Sequence, residues 1–207
     1  MSFNGFQPSD FEVFNVPGLE PRMEALIEKV RPKLEILGSE IAPYLSALCG
    51  EEMYVHVAKH ARRTVNPPDD TWVAWAANKR GYKALPHFQV GMFGTHLFII
   101  FAIIYESPNK TVFAKHLEAS SKQIKKDLPD QFYWSMDHMN PAGTRQSELK
   151  VEDFIAMANK LKSVKKSEVL CGLQIDSKDP ILQDGDKLIT TIQSTFDKLL
   201  PLYKKAF

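Results

Sequence analysis

The side chains best equipped for chemistry are basic and imidazole groups gathered in the middle of the chain. Lys59, His60, Arg62 and Arg63 form one run, and Lys79, Arg80 and Lys83 form a second. A guanidinium is a planar fork that matches phosphate or carboxylate, so these runs point to an anion site. The plainer account pairs them with Glu51, Glu52, Asp69 and Asp70, near them in sequence, and exposed ion pairs of that kind contribute little. If the first run is extended, His60 and Arg62 face one way and Lys59 and Arg63 the other.

Histidine supplies a second constellation. His56, His60, His87, Gln89 and either Asp137 or His138 would converge if strands placed them on one side of a sheet. Two of these histidines, His56 and His60, lie about 13 Å apart on an extended chain, given a rise of roughly 3.3 Å per residue, too far to share a metal. A helix would bring them together, yet His56-Val-Ala-Lys-His60 lacks the glutamate of the zinc-protease pattern. No metal site is expected. Asp137 and His138 are adjacent, so on a strand they point to opposite faces. Ser135 shares a face with Asp137, but no Gly-x-Ser-x-Gly elbow surrounds it. Acid–base chemistry at His87 or His60 remains open, and it requires a concave pocket and a carboxylate to hold the ring. An exposed Trp72 or Trp75 beside Lys79 and Arg80 would stack on a base or sugar. Core or rim packing is the commoner use of such tryptophans. Gly91-Met-Phe-Gly94 lacks the phosphate-loop pattern.

The elements that must position these groups follow from periodicity. Phe3, Phe6, Phe11 and Phe14 belong to an irregular arm, residues 1–18, that they tie to the core. Apolar residues from Leu19 to Leu48 repeat at helical spacing, and Pro32 and Pro43 should kink that segment or split it in two. Tyr54–Glu106 is the sheet core, with strands at 54–63, 72–78, 86–93 and 96–106. Asn66–Asp70 and Lys79–Lys83 are turns, and Gly94-Thr95 closes an antiparallel hairpin. A helix follows from Ser107 to about Asp127, then a strand at 132–138, a loop at 140–143, a helix at 149–161, a strand at 169–175 and a helix at about 184–203.

Composition narrows the class. The 207 residues carry 26 basic and 25 acidic side chains, a net charge of +1. That balance gives no global attraction to nucleic acid or an anionic membrane. With 44% hydrophobic residues the chain can bury one large core. Cys49 and Cys171 read as buried small hydrophobes, and two cysteines cannot form a thiolate zinc cage. The N-terminus lacks the charged-then-apolar order of a signal peptide. The longest apolar run, Leu97–Tyr105, is too short for a membrane helix. A cytosolic location is expected.

The wording of several stretches carries more than their pattern. His56-Val-Ala-Lys-His-Ala-Arg-Arg-Thr-Val-Asn-Pro-Pro-Asp-Asp-Thr-Trp-Val-Ala, Lys79-Arg-Gly-Tyr-Lys and Leu85-Pro-His-Phe-Gln-Val-Gly resemble the YktB-like family of Firmicute proteins. Gly18-Leu-Glu-Pro-Arg-Met and Trp134-Ser-Met-Asp-His resemble the same family, so the likeness spans nearly the whole chain. It implies a cytosolic α+β domain. It implies no activity, cofactor or catalytic residue, because the family has none assigned.

The sequence therefore predicts a single α+β domain over 1–207, with a largely antiparallel sheet of about five or six strands packed by helices from both ends of the chain. The favoured function is binding of a small anionic or phosphate-bearing ligand on a polar sheet face, by Arg62, Arg63, Lys79, Arg80, His87 and Gln89. The alternatives are an enzyme using His87 or His60, and a protein or RNA interaction module. Catalytic residues, cofactors and oligomeric state are not legible.

Overall fold

The computed structural model describes residues 2–207. Its helical N-terminal half-layer begins with α1 (Pro8–Phe11) and a 3-10 turn (Glu12–Asn15), followed by α2 (Leu19–Ala25) and α3 (Arg31–Cys49). The phenylalanines of the arm, Phe3, Phe6, Phe11 and Phe14, are all buried in the main core. Between α2 and α3, residues Leu26–Val30 form a wide π turn, so 19–49 is one continuous bent helix. Pro32, in the first turn of α3, has no amide to give to the preceding turn, and the wider turn accommodates that missing bond. The helix ends at Gly50, whose left-handed φ of 78° forms the C-terminal cap.

Seven strands form one sheet in the order β1-β2-β3-β4-β7-β5-β6. They are β1 (Tyr54–Val57), β2 (Asp70–Ala76), β3 (His87–Phe93), β4 (His96–Ile103), β5 (Tyr133–Ser135), β6 (Thr144–Arg145) and β7 (Val169–Asp176). Every neighbouring pair is antiparallel. The class is α+β as expected, with one strand more than the sequence indicated. The addition is two-residue β6, where Arg145 pairs with Tyr133, too short for any periodicity to reveal.

Other boundaries move: β2 begins at Asp70, β4 stops at Ile103, and β5 spans only Tyr133–Ser135, so Asp137 and His138 lie in a loop and strand alternation does not set their faces. The first strand stops at Val57 instead of running to Arg63. Beyond it His60 takes a left-handed φ of 52° and the Arg63 amide closes a turn onto the His60 carbonyl. Arg62 and Arg63 therefore sit in a loop, and strand alternation does not govern where they point. The segment 107–127 is two helices, α4 (Lys110–Ala119) and α5 (Ser121–Asp127), broken at Ser120. The chain is completed by α6 (Val151–Ser163) and α7 (Gly185–Lys204).

One face of the sheet meets the helices. Val73 and Trp75 on β2, Phe88, Val90 and Met92 on β3, and Leu97, Ile99 and Phe101 on β4 are buried there. α3 lies across β1 and β2, and α7 across β3, β4 and β7. Phe196 of α7 sits 4.8 Å from the Phe88 ring and 5.8 Å from Trp75. The close approach of α3 depends on Gly38: a Cβ there would stand 2.6 Å from Val55, and the Gly38 carbonyl accepts the Trp75 indole N–H at 3.0 Å. Among the described residues no helix is long and apolar enough to cross a membrane.

Candidate functional site

Among the described residues the opposite face carries no helix. The strand register brings Asp70 and Trp72 of β2, Gln89, Gly91 and Phe93 of β3, Phe98 and Ile100 of β4, Leu170 and Gln174 of β7, and Tyr133 of β5 to that side. Most are buried nonetheless, in a second and smaller hydrophobic cluster separate from the helix-covered core. Loops do the covering. The 77–86 turn lays Tyr82 over Trp72, whose indole N–H donates to the Tyr82 hydroxyl at 3.0 Å. From the other side, the 136–142 loop brings Asp137, His138, Asn140 and Pro141 across.

Between these two loops a narrow pocket remains open, with a cavity of about 80 Å³ below a mouth that opens to solvent. Gly91 lets Phe98 and Trp72 close over the sheet beside the pocket: a Cβ there would stand 2.4 Å from the Phe98 ring and 2.6 Å from the Trp72 Cβ. Aromatic and aliphatic side chains share its lining almost equally with polar and charged ones, Asp70, Gln89, Glu106, Asp137 and His138 among them. Convergent polar groups over an apolar floor are a usual feature of a small-molecule site.

Two of those polar groups stand out. Asp70 opens the strand that follows the Asn66–Asp69 loop, and its residue is only 5% exposed. No other residue donates a hydrogen bond to its carboxyl, and burial pushes it up to about 6 despite the charges of His138 and Arg63. His138 is half-buried on the pocket wall. Its Nδ1 lies 2.7 Å from Oε1 of Glu168, which also accepts the His138 backbone N–H. Glu168 itself is buried, and its Oε2 has no partner. The hydrogen bond that His138 donates to Glu168 holds its imidazole above the usual range. With Nδ1 committed to Glu168, Nε2 is the ring atom left for other partners.

The residues named from the sequence divide among several places. Gln89 lines the pocket. His87 lies beneath it and is fully buried: Leu85 O takes its Nδ1–H at 2.7 Å and the Gln89 amide reaches its Nε2 at 2.8 Å. Burial lowers His87 to about 4. His60 is also lowered to about 4 by burial, and its Nε2 engages Thr71. Neither ring borders the pocket. Arg80 lies in a separate shallow groove with His56, Lys59 and Lys83. Arg62 and Lys79 are exposed, and Arg63 reaches the Pro67 carbonyl. The anion candidates are thus spread along the β1–β2 edge and do not share one site. Trp75 and Trp134 are buried in the helix-side core, each with its indole N–H bonded, and Trp72 is half-buried against Tyr82.

Sequence reasoning noted His138 but not Glu168. The two are 30 positions apart, and nothing local marks Glu168 as more than the polar residue before a strand. The sequence places Asp70 in a loop, as one of four acidic residues that would pair with the basic runs. Arg22 instead pairs with Asp69 at 3.3 Å. Among the described residues no group of three or more histidine, cysteine or acidic side chains is arranged to hold a metal.

Comparison with known proteins decides the family. The model of a domain of unknown function, DUF1054, matches residues 6–203. This chain belongs to the DUF1054 family. It is 51% identical over 198 residues to a UPF0637 protein of Bacillus velezensis, covering 96% of this chain and 94% of that one. A UPF0637 protein of Bacillus licheniformis is 49% identical over 205 residues, 99% of this chain and 97% of the relative. One from Bacillus anthracis is 46% identical over 203 residues, 98% of each. These DUF1054 relatives are Firmicute proteins of near-equal length, in keeping with the YktB-like resemblance.

Proposed function

We propose that this DUF1054 protein binds a small organic molecule in the pocket on the helix-free face and moves a proton on it through His138. The supporting observation is the Glu168–His138 pair. A buried carboxylate holds Nδ1 at 2.7 Å, which fixes the ring and leaves Nε2 for a guest. An imidazole raised by its hydrogen bond to Glu168 suits a group that gives and takes protons. The acid–base role foreseen for His87 or His60 passes to His138, because the first two rings are engaged by protein partners and neither borders the pocket.

The test begins with a fragment library scored by thermal shift, run in parallel on a pocket-filling Ile100→Trp variant. Fragments that stabilise only the unfilled protein are then followed by proton exchange and product formation. His138→Gln should retain binding and lose about 100-fold or more in rate, the scale of a general acid–base contribution. Equal rates with and without His138 would refute the proton-transfer role.

A second reading keeps the anion-binding expectation. Its support is the groove lined by His56, Lys59, Arg80 and Lys83, where cations outnumber the single Glu106. Arg62, Arg63 and Lys79 would extend this positive edge, whereas His87 and Gln89 belong to the pocket side. Sugar phosphates and nucleotides are the probes. Stabilisation that an Arg80→Ala, Lys83→Ala double variant abolishes would support it, and unchanged stabilisation would remove it.

A further inference from the structure

The pocket's charge has the opposite sign to the groove beside it. Its lining carboxylates are Asp70, Glu106 and Asp137, and its cations are Lys83 and His138. Both cations are already engaged: Lys83 with Glu106 at 3.4 Å, and His138 with Glu168 at 2.7 Å. Asp137 is exposed, and its Oδ1 caps the Met139 amide. Asp70 alone is buried and without a counter-charge in contact. Arg63 is near enough to be felt by Asp70, yet its guanidinium is turned to the Pro67 carbonyl. Asp69 is held by Arg22. The remaining neighbour of note is Tyr82, whose hydroxyl already accepts the Trp72 indole.

Asp70 pairs with Phe93 and shares its strand face with Trp72, and the pocket it borders is lined further along by Tyr82, Phe98, Tyr105 and Tyr133. Aromatic faces carry negative quadrupole charge and attract a desolvated cation. A buried carboxylate without a counter-charge in contact is costly, and a positively charged guest would offset that cost where a neutral guest would not. A carboxylate in an aromatic-lined pocket is complementary to an amine or quaternary ammonium and repels phosphate.

We infer that the pocket takes an organic cation, with its charged nitrogen against Asp70 and its carbon substituents against the surrounding rings. This rests on the pocket being a ligand site, as proposed above, and adds the ligand's class. The inference has a pH signature. Asp70 must be ionised to hold the cation, so affinity should be full at pH 7.5 and fall as pH drops through about 6. His138 works in the same direction. As it gains its proton at low pH it adds positive charge beside Asp70, the two being within electrostatic reach. Arg63 keeps its charge over this range and contributes no pH dependence.

The experiment compares isosteres by calorimetry and thermal shift. Tetramethylammonium, choline and phenethylamine are the cations. 3,3-Dimethylbutan-1-ol is the uncharged twin of choline, and inorganic phosphate is the anion control. At least one cation should bind wild type at pH 7.5, ten-fold or more tighter than its neutral counterpart. Asp70→Asn should erase that preference while leaving the weak neutral binding in place. Lowering the pH from 7.5 to 5 should weaken cation binding about ten-fold. Equal affinity for choline and its neutral twin, or full cation binding by Asp70→Asn, would overturn the inference. If no cation binds but phenol or indole does, and Ile100→Trp abolishes that, the ligand class is wrong and the pocket stands. If nothing binds, both readings fall.

Discussion

Gln89 and Val90 are adjacent in β3 and both are buried, but they look out on different worlds. Val90 meets helices, with α7 and its Phe196 locking the space above the strand. Gln89 meets loops, and the space above it is partly empty. The two faces share every strand, so backbone hydrogen bonding does not distinguish them. What differs is the cover. Helices bring apolar stripes that fill a face to interior density. Loops bring a few ordered contacts, such as Trp72 on Tyr82, and leave room between them. One face holds the molecule together, and the other is free to carry a costly group such as Asp70.

That contrast can be broken most directly by truncating one aromatic on each side. Phe196→Ala should cost about 3–5 kcal/mol in chemical denaturation, the usual range for emptying a closed core. Phe98→Ala borders an existing void and should cost less than half as much. Equal losses would mean the loop-covered face is as tightly packed as the other.

The next largest effect concerns Asp70. Its carboxyl is raised from 3.8 to about 6 by burial. A group titrating higher when folded stabilises the protein relatively below its unfolded value, and that advantage is lost as pH rises through about 6. Asp70→Asn should therefore stabilise the protein at pH 7.5 by up to about 3 kcal/mol, with the gain fading below pH 4. Destabilisation at pH 7.5 would show that the carboxylate has an unrecognised partner.

Glu168→Gln should act in the opposite sense and more weakly. The folded His138 is raised, so the pair contributes fully below the usual imidazole value and loses its contribution as pH climbs through the folded value. With a third of the His138 side chain exposed, the expected loss is about 1 kcal/mol at pH 6, less at pH 9. The His138 ring resonances should titrate at lower pH in the variant. An unchanged midpoint would disconnect the two residues. Smallest of all, Lys83→Met should change stability by under about 0.5 kcal/mol, since its pair with Glu106 is exposed on both sides.

How much was legible depends on where each signal resides. The β3–β4 hairpin and α7 were readable because alternation and helical spacing are local properties. Phe88, Val90 and Met92 declare one face without help from elsewhere. The sequence cannot say whether a helix or a loop will cover the remaining face, since residues far along the chain settle that. His138 and Glu168 meet only because the 136–142 loop folds back towards the start of β7. Arg62 and Arg63 misled for the complementary reason. Their pattern continued a strand, but β1 is an edge strand held on one side only, and it turns away after Val57. Burial of Asp70, next to an ordinary loop aspartate, is likewise decided by Tyr82 and the 136–142 loop, not by its own neighbours.

The position of β7 has a consequence for synthesis. It is the last strand to leave the ribosome, yet it lies between β4 and β5. Until residue 176 has emerged, Leu97–Ile103 presents a bare apolar edge, and the Tyr133–Arg145 hairpin has nothing to join. A nascent chain stalled short of that point carries an unpaired, aggregation-prone ribbon. Closure of the sheet, and with it the wall that bears Glu168, waits until residues 168–176 have been translated.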